Sequence, residues 1–243
     1  HASMVGVPGI VSDSGAGYLL GKEINYLDTA IKDPSRPFLA ILGGAKVSGK
    51  LGVIKNLFDK VDGFLIGGAM AFTFLQAMGY EVGSSLVEPD LIDTARAILE
   101  MANEDSKLFM LPTDVIAAEY PEEGVAIQTL SADYIPENMK GLDIGPDTIQ
   151  RFNKHISEAG TIVWNGPMGL FEIPDFAAGT YEVARAIAES KAVSVVGGGD
   201  SALAVKKAGV SSSIDHISTG GGASLEYLEG KALPGVAVLP LVD

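Results

Sequence analysis

The sequence predicts an α/β fold: a doubly wound, mainly parallel sheet of about six strands with helices on both faces, Rossmann-like in plan. Short apolar runs such as Phe38–Leu42 and Phe64–Ile66 end in glycine pairs, as strands buried on both faces do. A stretch with helical spacing follows each run. The unit of strand, Gly-rich turn and helix recurs about five times, which calls for right-handed crossovers covering both faces of one sheet.

Taken in order, residues 1–17 are rich in Gly, Ser and Pro and read as a lead-in segment, with residues 18–243 forming the domain. Tyr18–Ile31 carries apolar residues at helical spacing and has a proline soon after its end. Phe38–Leu42 is the first strand, and Val47–Phe58 has helical spacing. Phe64–Ile66 leads through Gly67 and Gly68 into a helix over Met70–Met78, whose methionines and phenylalanines (Met70, Phe72, Phe74, Met78) read as core. Pro89–Met101 is predicted as a helix and Leu108–Leu111 as a strand. Ala117–Gly141 mixes charges with turn residues and predicts short strands or loops. Pro146–Glu158 is a helix with proline in its first turn. Thr161–Trp164 is a strand ending at Asn165-Gly166-Pro167, followed by a helix over Phe176–Glu189. Ser194–Val196 ends in Gly197-Gly198-Gly199-Asp200 ahead of a helix from Ser201. Ile214–Ser218 ends at Thr219-Gly220-Gly221-Gly222 ahead of a helix over Ala223–Leu228, and Val236–Leu241 closes the chain as a short strand or tail.

Composition narrows the function classes. The 243 residues are 47% hydrophobic, enough for one large domain or two small ones. No apolar run approaches the ~18 residues of a membrane span, and the first residues lack the basic start and apolar block of a signal peptide. The absence of cysteine excludes disulfides, thiolate metal sites and a cysteine nucleophile, and fits a cytoplasmic protein. A net charge of −14 argues against nucleic acid or an anionic membrane as partner. Any phosphate ligand must therefore be held by local devices: helix N-termini, a few placed lysines and a divalent cation brought with the ligand.

In a parallel sheet, ligands sit beyond the carboxyl ends of the strands, and the Gly-rich turns after Leu42, Ile66, Trp164, Val196 and Ser218 all fall on that edge. The strongest single stretch is FLAILGGAKVSGKL, where Lys46 and Lys50, four apart on a predicted helix, can reach one charged group. It fits G-x-x-x-x-G-K, but Leu51 stands where a P-loop needs Ser or Thr for magnesium. Asp200 can cap the helix behind it or coordinate magnesium, and Ser201 can cap or contact a phosphate oxygen. Gly220–Gly222 leaves a helix entrance open to a developing phosphoryl charge, or makes a tight turn capped by Thr219. Glu172 is either a ribose ligand or a surface carboxylate. Trp164 and Phe171 read as core, with Asn165 and Pro167 beside them lining a pocket. His155 and His216 belong to no triad pattern and read as structural or surface residues.

The stretches LGGAKVSGK (42–50), IGGAMAFTFL (66–75), GLDIGP (141–146), TIVWNGPMGLFE (161–172), VVGGGDSALAV (195–205) and HISTGGGASLEYLEGKALPGVAVL (216–239) together resemble the C-terminal, nucleotide-binding domain of phosphoglycerate kinase. The likeness spans nearly the whole chain in the family's order. The opening HAS resembles the end of the segment that closes the family's N-terminal domain. Gly49, where the family commonly has Asp, and Ala69, where it commonly has a third Gly, depart from the pattern.

The resemblance implies roles. Lys50 would contact the transferring phosphoryl group and Lys46 the α-phosphate side of ATP or ADP, with Ala45 beside them. Gly44, Gly67 and Gly68 would let backbone lie close to the adenosine, Leu142 and Pro167 would pack near the base, and Glu172 would hold the ribose. Asp200 would take Mg2+, with Gly198, Gly199 and Ser201 around the β-phosphate. Asn165 and Gly220, Gly221 and Gly222 would face the group in flight, so Lys50 and the three glycines are the catalytic set. The resemblance also implies that phosphoglycerate is held by an N-terminal domain that this chain lacks, that the chain is a monomer, and that it binds adenine nucleotide with little or no turnover alone. A non-catalytic nucleotide or sugar-phosphate binding module, and less so a P-loop hydrolase, are the alternatives.

Overall fold

The computed structural model describes residues 2–11 and 13–240. Within the segment read as a lead-in, Ala2–Gly6 forms one short π-helical turn, while His1 lies outside the described residues. The main elements in chain order are α1 (Tyr18–Lys32), β1 (Phe38–Leu42), α2 (Leu51–Leu57), β2 (Gly63–Ile66), α3 (Met70–Ala77), β3 (Glu81–Val82), α4 (Ile92–Glu104), β4 (Leu108–Met110), β5 (Asp114–Ala118), β6 (Ile127–Ser131), β7 (Tyr134–Ile135) and β8 (Lys140–Ile144). They continue with α5 (Pro146–Glu158), β9 (Thr161–Asn165), α6 (Ala178–Glu189), β10 (Val193–Gly197), α7 (Gly199–Lys207), β11 (His216–Ile217), α8 (Gly222–Leu228) and α9 (Pro234–Ala237).

The central sheet has six strands in the order β11-β10-β9-β1-β2-β4, and every pairing is parallel. Alternation along β1 explains its two-sided burial. Phe38, Ala40 and Leu42 enter a core shared with α1 to α4 and α8, whereas Leu39 and Ile41 enter a second core built from α5, α6 and α7. A smaller apolar cluster joins Phe72 and Leu75 of α3 to the three-stranded antiparallel sheet β6-β5-β8. Its strands run through Ala117–Gly141, where short strands or loops were expected, and extend beyond that stretch at both ends.

The strand order sets the site. From β1 the chain winds outward to β2 and β4, then returns to the other side of β1 for β9, β10 and β11. The direction of winding reverses between β1 and β9, and ligands of open α/β sheets bind in the crevice at that reversal, beyond the carboxyl ends of the strands. The backbone there is interlocked. Gly43 N–H donates to Asn165 O (3.0 Å), Gly44 N–H to Pro167 O (2.9 Å) and Gly68 N–H to Met168 O (2.8 Å). A Cβ on Gly43 would lie 2.1 Å from Pro167 O, and one on Gly166 2.2 Å from Gly43 O, so a side chain is excluded at these two positions.

Four expectations need correction. Lys46 and Lys50 are not on a helical face, because α2 begins at Leu51 and residues 47–50 form a turn in which Lys50 N–H bonds Val47 O at 2.8 Å. Asp200 and Ser201 are not helix caps: α7 starts at Gly199, capped by Gly198, and both residues lie in its first turn. Val236 and Ala237 belong to α9, not a strand, and Leu241 lies outside the described residues. Met78 is 49% exposed, since α3 ends at Ala77, while Met70, Phe72 and Phe74 are buried as expected.

Candidate functional site

Two adjoining cavities open at the reversal between β1 and β9. The narrower, about 440 Å³, is lined by Lys46, Gly49 and Lys50 after β1, Asn165 and Gly166 after β9, Gly198–Ser201 at the start of α7, and Gly221 and Gly222 at the start of α8. The larger, about 640 Å³, is apolar on most of its wall: Phe72, Leu86, Val87, Val115, Leu142, Ile144, Met168 and Leu170, with Glu172 and Lys140 at its polar limits. Gly44, Ala45, Pro167 and Asp200 border both, so the two are one continuous cleft.

Lys50 is the half-buried cation of the narrow cavity, and its ammonium donates to the Oδ1 of Asn165, itself 3% exposed. Burial pushes the Lys50 pKa down, against the pull of Asp200 and Glu229 nearby. A desolvated ammonium with a neutral hydrogen-bond partner is poised to accept an anion, which would restore the charge balance it lacks. Lys46 and Asp200 are exposed at the mouth. The Ser201 hydroxyl is fully buried and accepts the Gly166 N–H at 2.7 Å, which fixes the β9 turn against α7.

The glycines of the rim divide into two kinds. At Gly43, Gly68 and Gly166 backbone atoms stand where a Cβ would sit; a Cβ on Gly67 would likewise lie 2.5 Å from Met168 Sδ, and Gly67 lines neither cavity. At Gly44, Gly199, Gly221 and Gly222 nothing lies within 4 Å of that position, and all four face the cleft. Space left free over backbone N–H groups at a cation-bearing rim is space for a ligand.

The loop ahead of α8 is held from behind. Glu23 of α1, 8% exposed, accepts the Thr219 N–H (2.6 Å) and Thr219 hydroxyl (2.8 Å) through Oε1, and its Oε2 lies 2.9 Å from His216 Nε2. The Tyr26 ring stacks on His216 at 4.8 Å. Burial raises the Glu23 pKa, but the hydrogen bonds of His216, Thr219 and Ser218 outweigh it and hold the carboxyl at about 2. Thr219 is thus a tether to α1 and not the cap of α8, whose N-cap is Gly221. His216 is structural, and Trp164, fully buried with its indole N–H on Gly166 O at 2.7 Å, supports the β9 turn from the core.

Of the residues singled out from sequence, Gly44, Ala45, Pro167 and Asp200 border both parts of the cleft. Lys46, Lys50, Asn165, Gly198, Gly199, Ser201, Gly221 and Gly222 line the narrow part, while Gly68, Leu142 and Glu172 line the apolar part. Gly67 and Gly220 line neither. Sequence reading missed the segment Ser84–Val87, Phe72 as a wall residue, and Met168 and Leu170. Only Leu86 carried a signal, as an apolar residue after two serines in no periodic segment, and the structure leaves it 53% exposed. Among the described residues no group of three or more His, Asp or Glu side chains is placed to hold a metal ion. Asp200 alone at the mouth fits a magnesium that arrives on a polyphosphate, since such ions take one or two protein carboxylates and complete their shell with phosphate oxygens and water.

Fold and cleft define a class: a doubly wound α/β protein whose switch-point crevice joins an apolar pocket to a cation-bearing, glycine-lined rim. The phosphoglycerate kinase family model matches residues 1–231. The phosphoglycerate kinase of Prosthecochloris aestuarii is 57% identical over 242 residues, covering 98% of this chain and 61% of that protein. The phosphoglycerate kinase of Rubrobacter xylanophilus is 57% identical over 240 residues, covering 99% of this chain and 60% of that protein. Among solved structures, phosphoglycerate kinase from Coxiella burnetii superposes with a TM-score of 0.95 at 42% identity, over 98% of this chain and 61% of that one. The enzyme from Pyrococcus horikoshii gives 0.84 at 33% identity, over 98% and 60%. The chain belongs to the phosphoglycerate kinase family. It spans about three fifths of the length of the relatives it matches.

Proposed function

We propose that this chain is the C-terminal, nucleotide-binding part of a phosphoglycerate kinase and binds ADP and ATP with Mg2+ in the cleft between β1 and β9. The parent reaction is reversible phosphoryl transfer in glycolysis between 1,3-bisphosphoglycerate and ADP, giving 3-phosphoglycerate and ATP. The observation that carries the reading is convergence: Lys46 and Lys50, Asn165, Asp200 and Gly221, contributed by four separate turns, line a single cavity continuous with an apolar pocket.

The division of the cleft follows a nucleotide's own polarity. The purine enters between Leu142 and Pro167 against the apolar wall, and Glu172 at its edge accepts the ribose hydroxyls. Lys46 meets the α-phosphate, and the amides at Gly198–Ser201 meet the β-phosphate. Lys50 leaves Asn165 for the transferring phosphoryl group, whose negative charge is spread over oxygens that the open backbone at Gly221 and Gly222 also faces. Asp200 would hold Mg2+, which would supply neutralisation of the phosphate charge when bound. Because phosphoryl transfer rests on positioning and charge stabilisation, a held acceptor is as necessary as a held donor. The cleft's described lining offers three cations, Lys46, Lys50 and Lys140, too few to seat a bisphosphorylated acceptor beside a nucleotide. Residues 1–243 alone should then bind nucleotide and turn over little or none, and the family resemblance suggests a cytoplasmic monomer whose acceptor is held by an N-terminal domain.

Calorimetric titration of ADP with and without Mg2+, on wild type and Asp200→Ala, tests this. The expected result is tighter binding with the metal in wild type and loss of that gain in the variant. Absence of ADP binding by wild type, or a metal effect indifferent to Asp200, rejects it.

A further inference from the structure

The loop that carries both lysines is fastened at a point outside the cleft. Glu88 leaves the segment Ser84–Val87, which walls the apolar pocket, and its carboxylate reaches across to the turn before α2. There Oε2 accepts the Ser48 N–H at 3.0 Å and Oε1 accepts the Ser48 hydroxyl at 2.6 Å. The backbone of Glu88 is fixed in turn, its N–H bonding the Oγ1 of Thr73, a residue of α3 that is 1% exposed. Ser48 stands two residues from Lys46 and two from Lys50, in a loop with glycines at 43, 44 and 49 and one core anchor, fully buried Val47. Burial disfavours the charged carboxyl, yet the Ser48 hydroxyl and the amides of Ser48 and Val47, with Lys46 nearby, hold its pKa below the usual range.

We infer that Glu88 is a positioning residue: through its two bonds to Ser48 it sets the lysine-bearing loop, and so ties the phosphate side of the cleft to the wall of the base pocket. The inference rests on the nucleotide reading above for its consequence, though not for the bridge itself. Two effects of this carboxylate oppose one another. A negative charge beside Lys46 repels an incoming polyphosphate, so by charge alone its removal tightens ADP binding. By positioning, its removal frees a glycine-rich loop that must then be ordered at the moment of binding, and weakens it. The sign of the change separates the two.

Glu88→Ala removes bridge and charge, Glu88→Gln keeps a bridge (carbonyl to the Ser48 N–H, amide to its Oγ) without the charge, and Ser48→Ala deletes the hydroxyl bond alone. Hydrogen exchange at the residue 48 amide, read without nucleotide, is expected to quicken about 10-fold in Glu88→Ala and to stay near wild type in Glu88→Gln. ADP is expected to bind about 10-fold more weakly to Glu88→Ala, about 3-fold more weakly to Ser48→Ala, and near normally to Glu88→Gln. Adenosine, which lacks the phosphates, binds all four proteins alike. Unchanged exchange in Glu88→Ala, ADP binding as tight as or tighter than wild type, or parallel losses for ADP and adenosine each overturn the inference. If wild type binds no ADP the functional reading fails, and the exchange rates still decide the bridge. Should Glu88→Ala not fold, Ser48→Ala and Glu88→Gln give the same contrast.

Discussion

Truncating Glu23 tests the tether between α1 and the loop at Gly220–Gly222. In the native protein this carboxylate takes three hydrogen bonds, two from Thr219 and one shared with His216. Glu23→Ala leaves the His216 ring, 5% exposed, without its Nε2 partner, whereas Thr219 at the surface recovers part of its loss from water. A buried polar group left unpaired costs about 1–3 kcal/mol, and each lost bond to a charged group adds a share, so about 3 kcal/mol is expected in all. For a chain of this size that lowers Tm by roughly 9 °C. Glu23→Gln keeps an acceptor for Thr219 and can still meet His216, and should lose less than Glu23→Ala at pH 7. The pH signature is specific. With a folded pKa of about 2 against the ordinary glutamate value of 4.5, Glu23 binds its proton less readily in the folded state. Its contribution is therefore complete above pH 4.5 and is lost as pH falls towards 2. Urea unfolding at pH 7 and pH 3 should show the gap between wild type and Glu23→Gln narrowing on acidification. A Glu23→Ala loss below about 0.5 kcal/mol, or a gap that stays constant with pH, would refute this account of the tether.

Gly68 and Gly44 make a paired prediction. Gly68 has φ +65° and a Cβ there would lie 2.4 Å from Gly44 N and 2.8 Å from Pro167 O, so Gly68→Ala combines left-handed strain with backbone overlap and should cost roughly 2–4 kcal/mol by urea denaturation. Gly44 has φ +97° and open space, so Gly44→Ala should cost only about 1–2 kcal/mol while obstructing the cleft; equal losses at the two positions would contradict the division of the rim glycines. Asp143, 3% exposed in the lining of the apolar pocket, has its carboxyl pushed up to about 8 by burial, against the N–H groups of Gly179 and Ile144. A folded pKa above the unfolded 3.8 means stability that is full below 3.8 and is lost as pH rises through 8, so unfolding midpoints should fall more between pH 5 and pH 9 in wild type than in Asp143→Asn. Equal slopes would assign the fall to other groups.

The parallel fold was legible because β1, β2, β9 and β10 are short apolar runs stopped by glycine, a local signal that survives without knowledge of neighbours. The antiparallel sheet β6-β5-β8 was not, since β6 is largely solvent-exposed and carries no two-sided apolar pattern. Strand order is non-local, so sequence could place five turns on one rim but not say that β1 and β9 are adjacent and form the crevice. Lys46 and Lys50 were read as neighbours for a wrong reason: the turn closed by Lys50 on Val47 replaces the helical turn, yet still delivers both to the cavity. Phe72 read as core and is core, but α3 packs on the small sheet so that its ring also walls the pocket. Glu88 carried no signal, because its partner Ser48 is forty residues away. The same holds for Glu23, whose partners lie at the far end of the chain.

The central claim is that turns far apart in sequence act together as one seat for a polyphosphate on an acidic protein. Backbone amide NMR during titration with Mg-ADP addresses it directly. The account predicts that Gly44–Lys50, Gly198–Ser201 and Gly221–Gly222 shift along one common binding curve, and that adenosine moves only the signals around Gly68, Leu142 and Glu172. Shifts confined to a single turn, or the same map for adenosine as for Mg-ADP, would contradict it.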